Sequence, residues 1–154
     1  MKKITPMVLD QIDMDLLNLL QEDGRMALKD LAAKVYMSSP AVAARIELLK
    51  KAGYIHGYRG ILNYRLLGYH IKAFINLELE PVQKKEFYPF IKSEKNVVEC
   101  NCVTGEYAML IQVLFPSTEE LDGFINRLQK FGKTKTQIVF STSVEHRGIQ
   151  IKES

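Results

Sequence analysis

The sequence predicts an α+β protein in two parts, and three observations carry that reading. Apolar residues recur every three or four positions through the N-terminal third, alternate strictly from Ile71 onward, and the excess of positive charge is confined to the first part. A chain of 154 residues has room for one ordinary domain or two small ones.

Asp10 or Asp13 can cap a first helix whose apolar side is Ile12, Leu16, Leu17, Leu19 and Leu20, with Asp23 and Gly24 ending it. A second helix is predicted over Leu28–Val35, with Leu28, Leu31, Ala32 and Val35 on one side. Ala27 offers it no capping hydroxyl, so tertiary packing must help it start. Tyr36, Met37 and Ser38 make a short connection. Ser38 can cap a third helix, Pro40 falls in its first turn, and the helix runs to Lys51, burying Val42, Ile46 and Leu49. Ala52 and Gly53 close it. Three short helices, the last two joined by a turn of about four residues, are the plan of a helix-turn-helix unit. Ile55 to Asn63 reads as a strand and linker leaving that unit.

From Ile71 the period becomes two. Ile71, Ala73, Ile75, Leu77 and Leu79 alternate with Lys72, Phe74, Asn76, Glu78 and Glu80, as in a strand with one face on a core, and Pro81 ends it. Phe87, Phe90 and Ile91 then form the stripe of a helix starting near Val82. Val97–Thr104 and Tyr107–Phe115 read as hairpin partners around Gly105 and Glu106, where the tight turn calls for a positive φ at Gly105. Ser117 and Glu120 form a capping box for a helix burying Leu121, Phe124, Ile125 and Leu128. Lys135–Val144 is the final strand. The order β-α-β-β-α-β is the ferredoxin-like plan, with both helices on one sheet face. The other face carries Phe74, Leu110 and Leu114, an apolar surface that a second copy of the chain would cover.

Hydrophobic residues make up 47% and charged residues 25% of the chain, which excludes disorder and fibrous repeats. No apolar run approaches the roughly 20 residues of a membrane span, and Asp10, Asp13 and Asp15 interrupt any signal-peptide core, so a soluble cytoplasmic protein is expected. Within residues 24–60, seven basic side chains (Arg25, Lys29, Lys34, Arg45, Lys50, Lys51 and Arg59) face Asp30 and Glu47, a local balance of +5. Residues 61–154 hold 12 basic and 11 acidic side chains, a balance of +1. The excess suits duplex DNA. The third helix must present a narrow face to the major groove, and Ser39, Pro40, Ala41 and Ala44 do not obstruct it. Arg45, Lys50, Lys51 and Arg59 can supply phosphate contacts around it. A small helical bundle with a solvated basic surface has the same spacing.

No glycine loop between a strand and a helix suggests a phosphate or dinucleotide site, and His56, His70 and His146 are dispersed. Cys100 and Cys102, at i and i+2 in an apparent strand, lack the partners of a disulfide framework or a zinc site and read as two buried thiols. No enzymatic role, metal or cofactor is expected.

Taken in order, Leu9-Asp10, Asp13, Leu17, Asp23-Gly24-Arg25, Leu31-Ala32, Ser38, Val42, Arg45-Ile46, Leu49, Ala52-Gly53, Ile55 and Tyr58, then Leu67-Gly68 and Val103-Thr104-Gly105, resemble the Lrp/AsnC, or feast/famine, family of transcriptional regulators over about residues 8–148. The resemblance implies a helix-turn-helix DNA-binding domain over 1–60 that includes Ser38 in its DNA-contacting set. It further implies a linker over 61–68, a ferredoxin-like dimerisation and effector domain over 69–148, and a tail over 149–154. It implies a homodimer, often a tetramer or octamer, acting on double-stranded DNA and associated with the nucleoid. Many such proteins bind a free amino acid at dimer–dimer contacts, near the loop matching Val103-Thr104-Gly105, which here nominates Thr104, Gly105, Glu106 and Tyr107 as the lining of a subunit-interface cleft, with Thr142 on the last strand as a further wall. Members that bind amino acids commonly carry Asp three residues after the glycine; here that residue is Ala108. On the third helix, Glu47 and Leu48 stand where basic or polar residues are frequent. An effector-independent architectural protein that wraps or bends DNA is the alternative reading.

Overall fold

The computed structural model describes residues 7–152. They form two compact units, one made by the residues up to Ile61 together with those from Val144 onward, the other by Leu62–Ser143.

The first unit holds α1 (Gln11–Glu22), α2 (Leu28–Lys34) and α3 (Ser39–Lys51). Both acidic candidates cap α1. The Asp10 carboxylate accepts from the Asp13 N–H at 2.8 Å, and the Asp10 N–H donates to Asp13 Oδ2 at 3.2 Å, a reciprocal box. α2 has no side-chain cap, as Ala27 foretold, and is held by packing. Ser38 accepts from the Ala41 N–H to start α3. Leu16, Leu31, Ala32, Val35 and Val42 make the buried core, with Ile12, Leu19, Leu20 and Ile46 packed around them. Leu28 stands out of that core at 38% exposure, because it lies on the first turn of α2, at the margin of the helix contacts.

One expectation fails after α3. Ile55–Asn63 forms no strand: no neighbouring segment of the described residues offers it a ladder. The segment around Ile151 is fastened to α1. Asn18 of α1 donates its amide to the Ile151 carbonyl at 3.0 Å and accepts from the Ile151 N–H at 2.9 Å, while Gln21 donates to the Ile149 carbonyl at 3.0 Å.

The second unit holds β1 (Ile71–Leu77), a 3-10 turn at Pro81–Gln83, α4 (Lys84–Ser93), β2 (Val97–Cys102), β3 (Met109–Phe115), α5 (Thr118–Leu128), a second 3-10 turn at Gln129–Phe131 and β4 (Thr134–Ile138). The strands form one antiparallel sheet in the order β2-β3-β1-β4. Ala73, Ile75, Leu77, Met109, Ile111 and Val113 bury one face against Phe87, Ile91, Leu121, Phe124 and Leu128 of the two helices. This is the ferredoxin-like βαββαβ fold.

The register sets Phe74 beside Gln112 and Gln137, Leu110 beside Asn76 and Asn101, and Leu114 beside Lys72. Phe74 therefore lies diagonally between Leu110 and Leu114 on the face away from the helices, and all three are half-buried. β4 stops at Ile138 rather than Val144, because β1 begins at Ile71 and the last rung is the bond from the Val139 N–H to the Lys72 carbonyl. The α5 box is half made: Ser117 accepts from the Glu120 N–H at 3.3 Å without the reciprocal bond. Cys102 is exposed, not buried, since it ends the edge strand β2; Cys100 is half-buried.

Candidate nucleic-acid interface

α3 presents two faces. Val42 and Leu49 are fully buried, and Ile46 packs beside them. At about 100° per residue, Pro40, Ala44, Glu47, Leu48 and Lys51 fall on the opposite side, and all five are exposed. The small residues Ser39 and Ala41 flank the entrance, half-buried, while Ser38 is exposed and commits its hydroxyl to the helix cap. Lys51 makes no ion pair among the described residues. Arg59 is exposed in the segment beyond the helix.

Arg45 is engaged within its own unit. Expected to reach phosphate, its Nη1 instead donates to Asp10 Oδ2 at 2.7 Å and Asp13 Oδ1 at 2.8 Å. The Asp13 side chain is only 6% exposed, so the guanidinium compensates a carboxylate that has lost most of its water. The Asp13 N–H bond, and then Arg45, hold the Asp10 carboxyl below its ordinary value, and the same two carboxylates raise the guanidinium's. Arg45 ties α3 to the start of α1. Lys50 is also engaged, donating to Glu47 Oε1 at 2.8 Å in an exposed pair.

At one end of the sheet, Val103–Ala108 joins β2 to β3, closed by the bond from the Val103 N–H to the Ala108 carbonyl at 2.9 Å. Gly105 has φ 112°, the positive value that the turn requires. Thr104, Gly105 and Glu106 are exposed; Tyr107 and Ala108 are half-buried. A cleft of about 480 Å³ opens beside them, lined by Glu78, Leu79, Glu80, Pro81, Glu106, Ala108, Gly132 and Lys133. Of the residues nominated from the sequence, only Glu106 lines it. Glu78, Glu80 and Lys133 were missed, since only the pairing of β1 with β4 brings the residues after Leu77 against those before Thr134. The bond from the Glu78 N–H to the Lys133 carbonyl continues that pairing.

Thr142 is not with them. Its hydroxyl accepts from Lys72 Nζ at 3.4 Å, at the start of β1, whereas the hairpin adjoins Leu77 through the Ala108 N–H. Five strand residues separate the two ends, roughly 17 Å, so within one chain Thr142 cannot wall the hairpin cleft.

Among the described residues no cluster of His, Cys, Asp and Glu could hold a metal ion, and no helix is long and apolar enough to cross a membrane.

Comparison with known proteins places these features. Residues 9–56 match the winged helix-turn-helix DNA-binding family model, and residues 72–149 match the Lrp/AsnC ligand binding domain. The chain is 35% identical over 133 residues to the HTH-type transcriptional regulator LrpA of Bacillus subtilis, covering 86% of this chain and 98% of that one. The solved structure of AsnC from E. coli superposes with a TM-score of 0.84 at 28% identity, covering 94% of this chain and all of the other. A feast or famine regulatory protein from M. tuberculosis, complexed with L-methionine, superposes at 0.87 with 26% identity over 94% of this chain and all of its own. Its two domains, in this order and with these folds, are those of DNA-binding regulators rather than enzymes, and the chain belongs to the Lrp/AsnC family of helix-turn-helix transcriptional regulators.

Proposed function

We propose that the protein is a sequence-specific regulator that lays the exposed face of α3 in the DNA major groove. The single observation that carries this is the composition of that face. Pro40 and Ala44 leave the backbone free to approach, and Lys51, with Lys50 and Arg59 nearby, supplies positive charge at its margin. It works as a homodimer, open to assembly as a tetramer or octamer, and resides in the cytoplasm on the nucleoid. The surface around Phe74, Leu110 and Leu114 supports dimerisation, because it sets these three apolar side chains together, among amides, on the face opposite the helices. Titration of the full chain against its upstream genomic DNA tests the reading. Binding should weaken with rising salt and weaken again in Lys51→Ala; unchanged affinity in the folded variant contradicts it. Phe74→Lys should shift sedimentation toward the monomer.

The cleft beside Glu106 is the place for an amino acid or related small metabolite, supported by the L-methionine complex of the structural neighbour. Ala108 favours a second reading, an architectural protein without an effector, because it lines that cleft with a methyl group. Calorimetry with a panel of amino acids decides between them. Ala108→Asp should strengthen binding by about 1.5–3 kcal/mol if the new carboxylate meets an ammonium. Silence from both proteins leaves the architectural role.

A further inference from the structure

Resting on the assignment of α3 as the groove helix, we infer that this helix reads pyrimidine edges: Leu48 seats on thymine methyl groups, and Glu47 accepts from a cytosine amino group. The helix offers guanine no arginine fork. Guanine is most often read in the major groove by an arginine or a lysine on O6 and N7, and Lys51, in the last turn of α3, is the margin cation assigned to phosphate. The one arginine of α3, Arg45, spends its Nη1 on Asp10 and Asp13 at 2.7 and 2.8 Å, toward α1 and away from the exposed face. Releasing it would strand the buried Asp13 carboxylate.

What remains on the groove side is unusual for a surface helix. Pro40, Ala44 and Leu48, at i, i+4 and i+8, make an apolar line, and Leu48 is 54% exposed without covering the core of its unit. The only apolar group on the floor of the major groove is the thymine methyl. Beside that line stands Glu47. A carboxylate turned toward the backbone would meet phosphate, one turned toward guanine would meet the N7 and O6 acceptors, and one turned toward adenine would meet an amino donor flanked by the N7 acceptor; the cytosine amino group is the donor with no acceptor beside it on its own base edge. Lys50 holds Glu47 Oε1 at 2.8 Å, which leaves Oε2 without a partner among the described residues and offsets the carboxylate's charge against the duplex. Lys50 is thereby a positioning residue for Glu47. Glu47 also works against alternatives, since every purine edge at its position presents it an acceptor.

The test uses the full chain. A duplex is first selected from a random pool, and each thymine in it is then replaced by uracil, which deletes the methyl group and nothing else. The natural protein should lose about fourfold in affinity at each contacted position, the value of one buried methyl-sized group. Leu48→Ala should bind the thymine and uracil duplexes equally. Glu47→Gln should relax the preference at one C·G pair by roughly tenfold. Leu48→Ala should keep the salt dependence of the natural chain, because it removes no phosphate contact. Equal binding of thymine and uracil duplexes by the natural protein overturns the inference while leaving the groove assignment standing. Failure to select any sequence overturns both. If Leu48→Ala changes sedimentation but keeps the discrimination against uracil, Leu48 belongs to a contact between copies, and the inference falls.

Discussion

Arg45 reaches from the middle of α3 to Asp13 on the first turn of α1, its Nη1 2.8 Å from an Oδ1 whose side chain is 6% exposed. The same Asp13 carboxylate accepts from the Asp10 N–H, so one buried acid serves the helix cap and the helix–helix contact together. Arg45→Met should therefore destabilise the first unit by about 3 kcal/mol, the low end for breaking a buried pair, given that Arg45 itself is partly exposed. Urea unfolding of the full chain measures it. Lys51→Ala should leave the midpoint unchanged and weaken DNA binding instead. In a double-mutant cycle, Asp13→Asn should cost far less in the Arg45→Met background than alone.

Acid should loosen the same corner. The Asp10 carboxyl is held below its ordinary range by the Asp13 N–H and then by Arg45. A carboxyl with a lower value in the folded chain contributes stability that is complete above its unfolded value, about 3.9, and is lost as pH falls through the folded one. Stability measured from pH 7 downward should fall below about pH 4, and Asp10→Asn should be less stable at neutral pH but flatter in acid. A natural chain and an Asp10→Asn chain with parallel acid profiles would exclude this residue as a source of the loss.

The clasp between Asn18 and Ile151 makes a further prediction. One side-chain amide satisfies both backbone groups of a residue 133 positions away, much as a strand neighbour would. Asn18→Leu removes both bonds and should release the tail at a cost of about 2 kcal/mol, two bonds at the usual net value. Hydrogen exchange reads this directly: the Ile151 amide should be protected in the natural chain and exchange freely in the variant.

Local signals were enough for most of this architecture. Period and capping chemistry located α1, α3 and β1 because each is specified by neighbours: Asp10 for Asp13, Ser38 for Ala41, and the alternation Ala73, Ile75, Leu77. Errors gathered where a distant partner decides. Nothing beside Ile55–Asn63 says that no strand will pair with it, and nothing beside Phe140–Val144 says that β1 has no further residue to pair with it. The site was legible in residue type but not in role. Arg45 reads as a free cation until Asp10 and Asp13, 35 and 32 positions earlier, are brought against it.

The glycines supply a last prediction, in which one substitution has three outcomes. Gly132 has φ 152°, and a Cβ there would run into the Glu78 carbonyl oxygen, so the backbone at 132 passes residue 78 only without a side chain. Gly132→Ala must push apart the pairing of Glu78 with Lys133 and should cost more than about 2 kcal/mol. Gly105 has φ 112° but open space around it, so Gly105→Ala should cost only the conformational strain, roughly 1 kcal/mol. Gly123 lies inside α5 with nothing near its missing Cβ. Gly123→Ala should stabilise by about 0.5–1 kcal/mol, since alanine loses less chain entropy on entering a helix. Thermal unfolding of the three variants should rank them Gly123→Ala above the natural chain, then Gly105→Ala, then Gly132→Ala. A Gly132→Ala protein as stable as Gly105→Ala would mean that the 78–133 crossing relaxes freely, and that this wall of the cleft is not rigid.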